Sequence, residues 1–129
     1  MTRHEIRVAT KEDLFRWFKG PPPCSSRSLV LEIDGELEAL CGVQTSRGEI
    51  VAFSHINPKA RANKRILVEG LKKFRELVQQ HRCVVAYADA NEPTAPFFLE
   101  HVGFRHVGTS RLGEVYLYER NGGSSPCGG

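Results

Sequence analysis

The stretch Ser54 to Val78, SHINPKARANKRILVEGLKKFRELV, constrains the fold more than any other part of the chain. It reads as the end of a strand, a basic turn and an amphipathic helix. Leu67, Leu71, Phe74 and Val78 recur at intervals of four, three and four residues, which is one helical face. Gly70 lies beside that stripe and lets the helix approach a sheet closely. Lys72, Lys73, Arg75 and Glu76 face outward. Lys59, Arg61, Lys64 and Arg65 put four cations at or just before the helix start. A helix N-terminus carries unpaired N–H groups and a partial positive charge, so acidic residues usually gather there. The reversed bias is expected where a polyanion binds. A solvated basic turn without a ligand accounts for it equally well.

The flanking segments supply a sheet for that helix. Residues 5–10 read as a strand with Ile6 and Val8 on one face. Thr10, with Asp13 three residues on, is an approximate capping box for a helix over residues 11–19. Leu14, Phe15, Trp17 and Phe18 give this short helix enough aromatic surface to require packing on a core or lining a cleft. Gly20-Pro21-Pro22-Pro23 ends it. Residues 28–33 alternate, with Leu29, Leu31 and Ile33 on one face. Asp34-Gly35 is a two-residue hairpin turn, and Leu37, Ala39, Cys41 and Val43 alternate up the returning strand. Ser46-Arg47-Gly48 turns into a third strand over residues 49–56. After the helix, residues 82–90 are nearly continuously apolar, as in a strand covered on both faces. Strand, helix and strand in succession predict a right-handed crossover. Residues 91–102 read as a short helix with Pro93 in its first turn and Gly103 as its C-cap. Residues 104–111 and 114–119 form a closing hairpin. The order β-α-β-β-β-α-β-α-β-β predicts an α+β domain over residues 1–120, with a mostly antiparallel sheet and one crossover. Residues 121–129 (NGGSSPCGG) are expected to be a disordered Gly/Ser-rich tail.

Composition narrows the function. The chain has 129 residues, room for one core and too few for two. A net charge of +3 permits an anionic ligand but is too mild for a nucleic-acid binder. Aromatics are not interleaved with the basic run as stacking platforms. No apolar run approaches the roughly 20 residues that cross a bilayer, and the N-terminus lacks the apolar core of a signal peptide. Cys24, Cys41, Cys83 and Cys127 are scattered, with no close Cys/His pair for zinc. Free thiols and a cytoplasmic location are the expectation.

Asn91, Ala95 and Gly103-Phe104, together with this element order, resemble the GNAT family of acetyltransferases, in which an Asn opens the last helix and Gly-Phe closes it. Pro58 and Arg61 match the start of that family's pyrophosphate loop. Small GNAT-like proteins of tailed phages are similar in size and in having a glycine-poor basic loop. The resemblance covers residues 5–120 and implies a GNAT-like fold. It also implies acetyl-CoA lying between the strand that ends at Ile56 and the strand over residues 82–90. Cofactor contacts would then come from Ser54, Ile56, Arg61, Ala62, Asn63, Lys64, Arg65, Asn91 and Phe98. Asn91 is equally an ordinary N-cap. The reaction implied moves an acetyl group to an amine of a small molecule or protein. Glu49 stands where some family members carry a general base, and His55 is the next candidate. Each is also an ordinary strand residue. Two departures stand out. Lys64 and Ile66 occupy the loop's glycine positions, where glycine would allow close backbone approach to phosphate. Leu99 replaces a Tyr that protonates the departing thiolate in many members, leaving solvent, Tyr87 or Tyr116 as acid. A catalytically degenerate binding or assembly module is therefore the alternative. Neither Cys41 nor Cys83 has the His spacing of a nucleophile. The closing hairpin could pair across a homodimer.

Overall fold

Two turns that only a few residue types tolerate set the meander. Asp34 and Gly35 have φ of 49° and 87°, and Arg47 and Gly48 have φ of 51° and 80°. Two successive residues at positive φ make the type of turn that matches the right-handed twist of a hairpin. The structure, a computed structural model, describes residues 3–23, 25–88 and 95–120. The expected tail and the candidate Asn91 lie outside the described residues.

The described elements are β1 (His4–Val8), α1 (Lys11–Phe18), β2 (Ser26–Ile33), β3 (Glu36–Ser46), β4 (Glu49–Ile56), α2 (Pro58–Arg61), α3 (Lys64–Gln79), β5 (Cys83–Ala88), α4 (Ala95–Val102), β6 (Arg105–Ser110) and β7 (Gly113–Glu119). The strands form one sheet in the order β1-β2-β3-β4-β5-β7-β6. The expected crossover is present: β4 and β5 are parallel, and the other pairings are antiparallel. A bulge between Leu31 and Glu32 leaves Glu38 without a partner in β2, because Leu31 opposes Ala39 and Glu32 opposes Leu37. The basic turn is itself helical. Pro58, at the start of α2, cannot donate a hydrogen bond and is suited to a first helical turn.

Side-chain alternation divides the sheet into two faces. One face packs against α2, α3 and α4. Val43, Ala52, Phe74, Val78, Val84, Leu99 and Phe104 belong to its larger cluster. Leu31, Ile33, Ala60 and Ile66 form a second cluster beside β1 and β2. On α3 the fully buried residues are Ile66, Phe74, Leu77 and Val78, whereas Leu67 and Leu71 are only half-buried. The predicted stripe is thus rotated slightly, since the helix axis is set by the two clusters it spans.

The other face carries α1, which is held by charge as much as by apolar contact. Thr10 caps it as predicted: the Asp13 amide donates to Thr10 Oγ1 at 3.1 Å and the Thr10 amide donates to Asp13 Oδ2 at 2.9 Å. The same Asp13, only 3% exposed, accepts from Arg7 Nη2 of β1 at 2.6 Å. Arg7 also reaches Glu32 of β2 at 3.5 Å, and Arg16 of α1 reaches the same carboxylate at 3.4 Å. Burial opposes ionisation of Asp13, but its hydrogen bonds with Thr10 and Arg7 prevail and hold the carboxyl below its ordinary value of 3.8.

One expectation fails. Cys83 is disulfide-bonded rather than a free thiol, while Cys41 is free. No helix among the described residues is long and apolar enough to cross a membrane.

Asp13→Ala removes a helix cap and a charged hydrogen bond together. It is expected to cost about 2 kcal/mol in urea unfolding at pH 7. Because the folded pKa is depressed, this stabilisation is complete above the ordinary carboxylate range. It declines as pH falls through the folded pKa. Wild type and variant should therefore converge in stability in acid, and a constant gap down to pH 2 would contradict the ion-network assignment.

Candidate active site at the split between two parallel strands

The parallel seam is short. Val51 opposes Val85 and Ala52 opposes Ala86, and pairing goes no further. Both strands continue, β4 for four residues to Ile56 and β5 for two to Ala88. On its other edge β4 stays paired with β3 along its whole length, from Ser46–Glu49 to Ala39–Ile56. The backbone of residues 53–56 therefore faces an opening on the β5 side. Ser54 and Ile56, expected to meet a cofactor arm, lie in this unpaired half.

Just past Ile56 the chain makes the basic α2 turn and the start of α3. A shallow basin of about 540 Å³ lies there, lined by Lys59, Ala62, Asn63 and Lys64. Lys64 and Arg65 are exposed and have no ion-pair partner among the described residues. Lys59 approaches Asp34 at 3.9 Å. Arg61 is engaged: its Nη2 donates to the Ile56 carbonyl at 3.1 Å, tying the turn to the end of β4. Asn63 is the N-cap of α3, with Oδ1 accepting from the Ile66 amide at 3.1 Å. One first-turn donor is thus already satisfied by the chain. Ile66, in a position where the loop of the resembled family has glycine, is 3% exposed and belongs to the second apolar cluster.

The other expected residues are dispersed. His55 is exposed on the α1 side of β4, and its ring faces Trp17 at 6.5 Å and Phe53 at 6.2 Å between centroids. Its imidazole makes no hydrogen bond among the described residues. Glu49 starts β4, opposite Ser46, on the paired side of the seam. It lies four positions before Phe53, about 13 Å along a strand. Phe98 stacks on Phe74 at 5.7 Å, so its ring serves the α3–α4 contact. Leu99 is 8% exposed in the core. Tyr116 is also buried, and burial pushes its phenol up from its ordinary value. Tyr87 follows the last paired residue of β5 and is half-buried on the same face as Phe53. Of the two tyrosines, Tyr87 is the one at the opening. Desolvation pushes the Cys41 thiol up to about 12, which removes its nucleophilicity at neutral pH.

No family model and no curated protein matches the sequence. Solved structures do match the fold. An N-acetyltransferase from Staphylococcus aureus Mu50 aligns with a TM-score of 0.69 at 18% identity, covering 91% of this chain and 98% of its own. YncA from Salmonella typhimurium, a putative acetyltransferase solved with its cofactor acetyl-CoA, aligns at 0.69 with 12% identity, covering 98% and 99%. An acetyltransferase of the GNAT family from Streptococcus pneumoniae aligns at 0.65 with 14% identity, covering 89% and 96%. This chain has the GNAT fold. Within that GNAT fold Gly103 closes α4: at φ 114°, its amide and that of Phe104 both donate to the Leu99 carbonyl.

Two measurements check the local assignments. Alkylation of Cys41 by iodoacetamide at pH 8, followed by peptide mass spectrometry, should be on the order of a thousandfold slower in the folded protein than in urea. Asn63→Ala should cost about 1 kcal/mol of stability through the lost cap. A fully stable Asn63→Ala would show that the cap bond does not hold the start of α3.

Proposed function

We propose that this chain is an acetyl-CoA-dependent N-acetyltransferase that moves an acetyl group to an amine of a small molecule or protein. The observation that carries the reading is the early end of the β4–β5 seam at Ala52 and Ala86. It occurs in a fold whose solved neighbours include an acetyltransferase with acetyl-CoA bound.

The residues present fit such a cofactor. The backbone of residues 53–56 on the β5 side, apart from the Ile56 carbonyl that Arg61 holds, offers N–H and C=O groups to an amide-bearing arm, and the basin lined by Lys59 and Lys64, with Arg65 next in the chain, offers charge to a diphosphate. With Ile66 in the core and Asn63 capping the helix, these side chains act as point charges in place of a backbone cradle. Acetyl-CoA, when bound, supplies an activated acyl carbon for attack by a neutral amine. His55 is the base in this reading, with an imidazole that makes no hydrogen bond among the described residues and stands at the opening, able to accept the proton of an incoming amine. Glu49, set back on the paired side, is the weaker candidate. Leu99 has no proton to give, so the phenol of Tyr87 or solvent protonates the leaving thiolate.

The second reading, a GNAT-fold binding module without catalysis, draws on Leu99 in the core and on the absence of loop glycines. Binding and turnover separate the two. Acetyl-CoA at about 100 times its dissociation constant should add roughly 2.7 kcal/mol of stability in a thermal-shift titration. Lys64→Glu with Arg65→Glu should abolish that gain without unfolding the protein. His55→Gln should lower acetyl transfer by a factor of about 10² or more while the cofactor-induced shift persists. No stabilisation at millimolar acetyl-CoA would overturn the proposal, and stabilisation without turnover on any amine would favour the binding module.

A further inference from the structure

The ladder between β3 and β4 decides which backbone groups of β4 face the opening. The Asn57 amide donates to the Glu38 carbonyl at 2.9 Å, and Ile56 opposes Ala39. Hydrogen-bonded pairs alternate along an antiparallel ladder, so Asn57, His55 and Phe53 turn their N–H and C=O toward β3. Ser54 and Ile56 turn theirs the other way, toward the β5 side. Pairing with β5 has ended at Ala52 and Ala86. Beyond it, Ser54 presents a donor and an acceptor to the opening, and Ile56 presents a donor. The Ile56 carbonyl differs, because Arg61 Nη2 already donates to it at 3.1 Å.

That bond sets a cation on the last acceptor of the open edge. Arg61 belongs to α2, the same turn as Lys59, and the basin of Lys59, Ala62, Asn63 and Lys64 lies beside it. Its guanidinium is nevertheless turned back onto β4. A carbonyl oxygen has a second lone pair, but an N–H that shares it brings its positive end against a full positive charge. A neutral amide does not displace a guanidinium from the oxygen. A diphosphate does draw a guanidinium off a neutral carbonyl, because its anionic oxygens accept the planar fork of Arg in stronger, charge-assisted bonds. Arg61 is exposed, so this exchange leaves the core as it is.

We infer that Arg61 determines which carriers the site accepts: it masks the Ile56 carbonyl from an amide-bearing arm until a diphosphate in the basin draws its guanidinium away. A carrier with both parts uncovers its own binding edge, and a bare pantetheine arm does not. The inference rests on the acetyl-CoA reading and adds an order to it, diphosphate first and arm second.

Calorimetric titration of the full-length protein with pantetheine, with and without saturating inorganic pyrophosphate, tests the coupling without any substitution. Pyrophosphate should tighten pantetheine binding by about fivefold, the effect of regaining one hydrogen bond. Without pyrophosphate, Arg61→Ala should tighten pantetheine by about the same factor. The variant should also lose the pyrophosphate effect and bind acetyl-CoA more weakly than the wild type. A guanidinium that only attracts phosphate predicts weaker acetyl-CoA with pantetheine unchanged. One that only braces the turn predicts both ligands weakened together. Either pattern, or wild-type pantetheine binding indifferent to pyrophosphate, would overturn the inference, and acetyl-CoA binding in that same protein leaves the cofactor reading standing. Binding of neither acetyl-CoA nor pantetheine by the wild type refutes the cofactor reading, and the inference falls with it.

Discussion

Two backbone pairs hold the sheet's two parts together. Val51–Val85 and Ala52–Ala86 join the meander of β1 to β4 to the group of β5, β7 and β6. Everything proposed for the site follows from where that seam stops. Had the ladder continued through His55, the backbone of β4 would be spent on β5 and no molecule could enter the sheet. Sheets ordinarily satisfy their interior N–H and C=O groups fully. Four residues left unpaired on one side of a central strand therefore stand out. The two helices behind the seam compensate: Phe74 of α3 stacks on Phe98 of α4, and their apolar cluster includes residues of both β4 and β5. The two parts are thus joined below by side-chain packing and left apart above.

The opening is asymmetric in chemistry. On the helix α3 side it leads to exposed cations. On the α1 side it leads to rings. The placement of α1 is what makes the second wall, and α1 is held by Arg7, Asp13, Glu32 and Arg16. Such a network gives limited net stability relative to an apolar contact, but it is directional.

Much of this was legible in the sequence, and the reasons differ by element. Asp34-Gly35 and Arg47-Gly48 could be read because few residue pairs accept positive φ together. The Thr10–Asp13 box could be read because capping is local. The crossover followed from an apolar run after an amphipathic helix. What was not legible is what depends on register. The bulge at Glu38, the residue at which β4 and β5 separate, and the turn of α3 that buries Ile66 all come from contacts between distant segments. The Arg7–Asp13 bond is of the same kind. Thr10 advertises Asp13 as a cap, but nothing near Arg7 announces its partner. Phe98 was expected at the cofactor because of its helix, and it faces Phe74 because side-chain direction depends on a helix rotation that periodicity fixes only coarsely. Cys83 shows a further limit, since cysteine spacing without geometry does not reveal a disulfide.

The cap on α3 has a consequence of its own. Asn63 satisfies the Ile66 amide from within, so one of the first-turn donors at the start of α3 is spent on the chain itself. Grip on any polyphosphate then depends on exposed ammonium and guanidinium groups, whose pull is screened over about 10 Å at 0.1 M salt. A protein built this way would hold its ligand firmly in dilute buffer and let go as ionic strength climbs, whereas one with a glycine-lined cradle of amides would be less sensitive to salt.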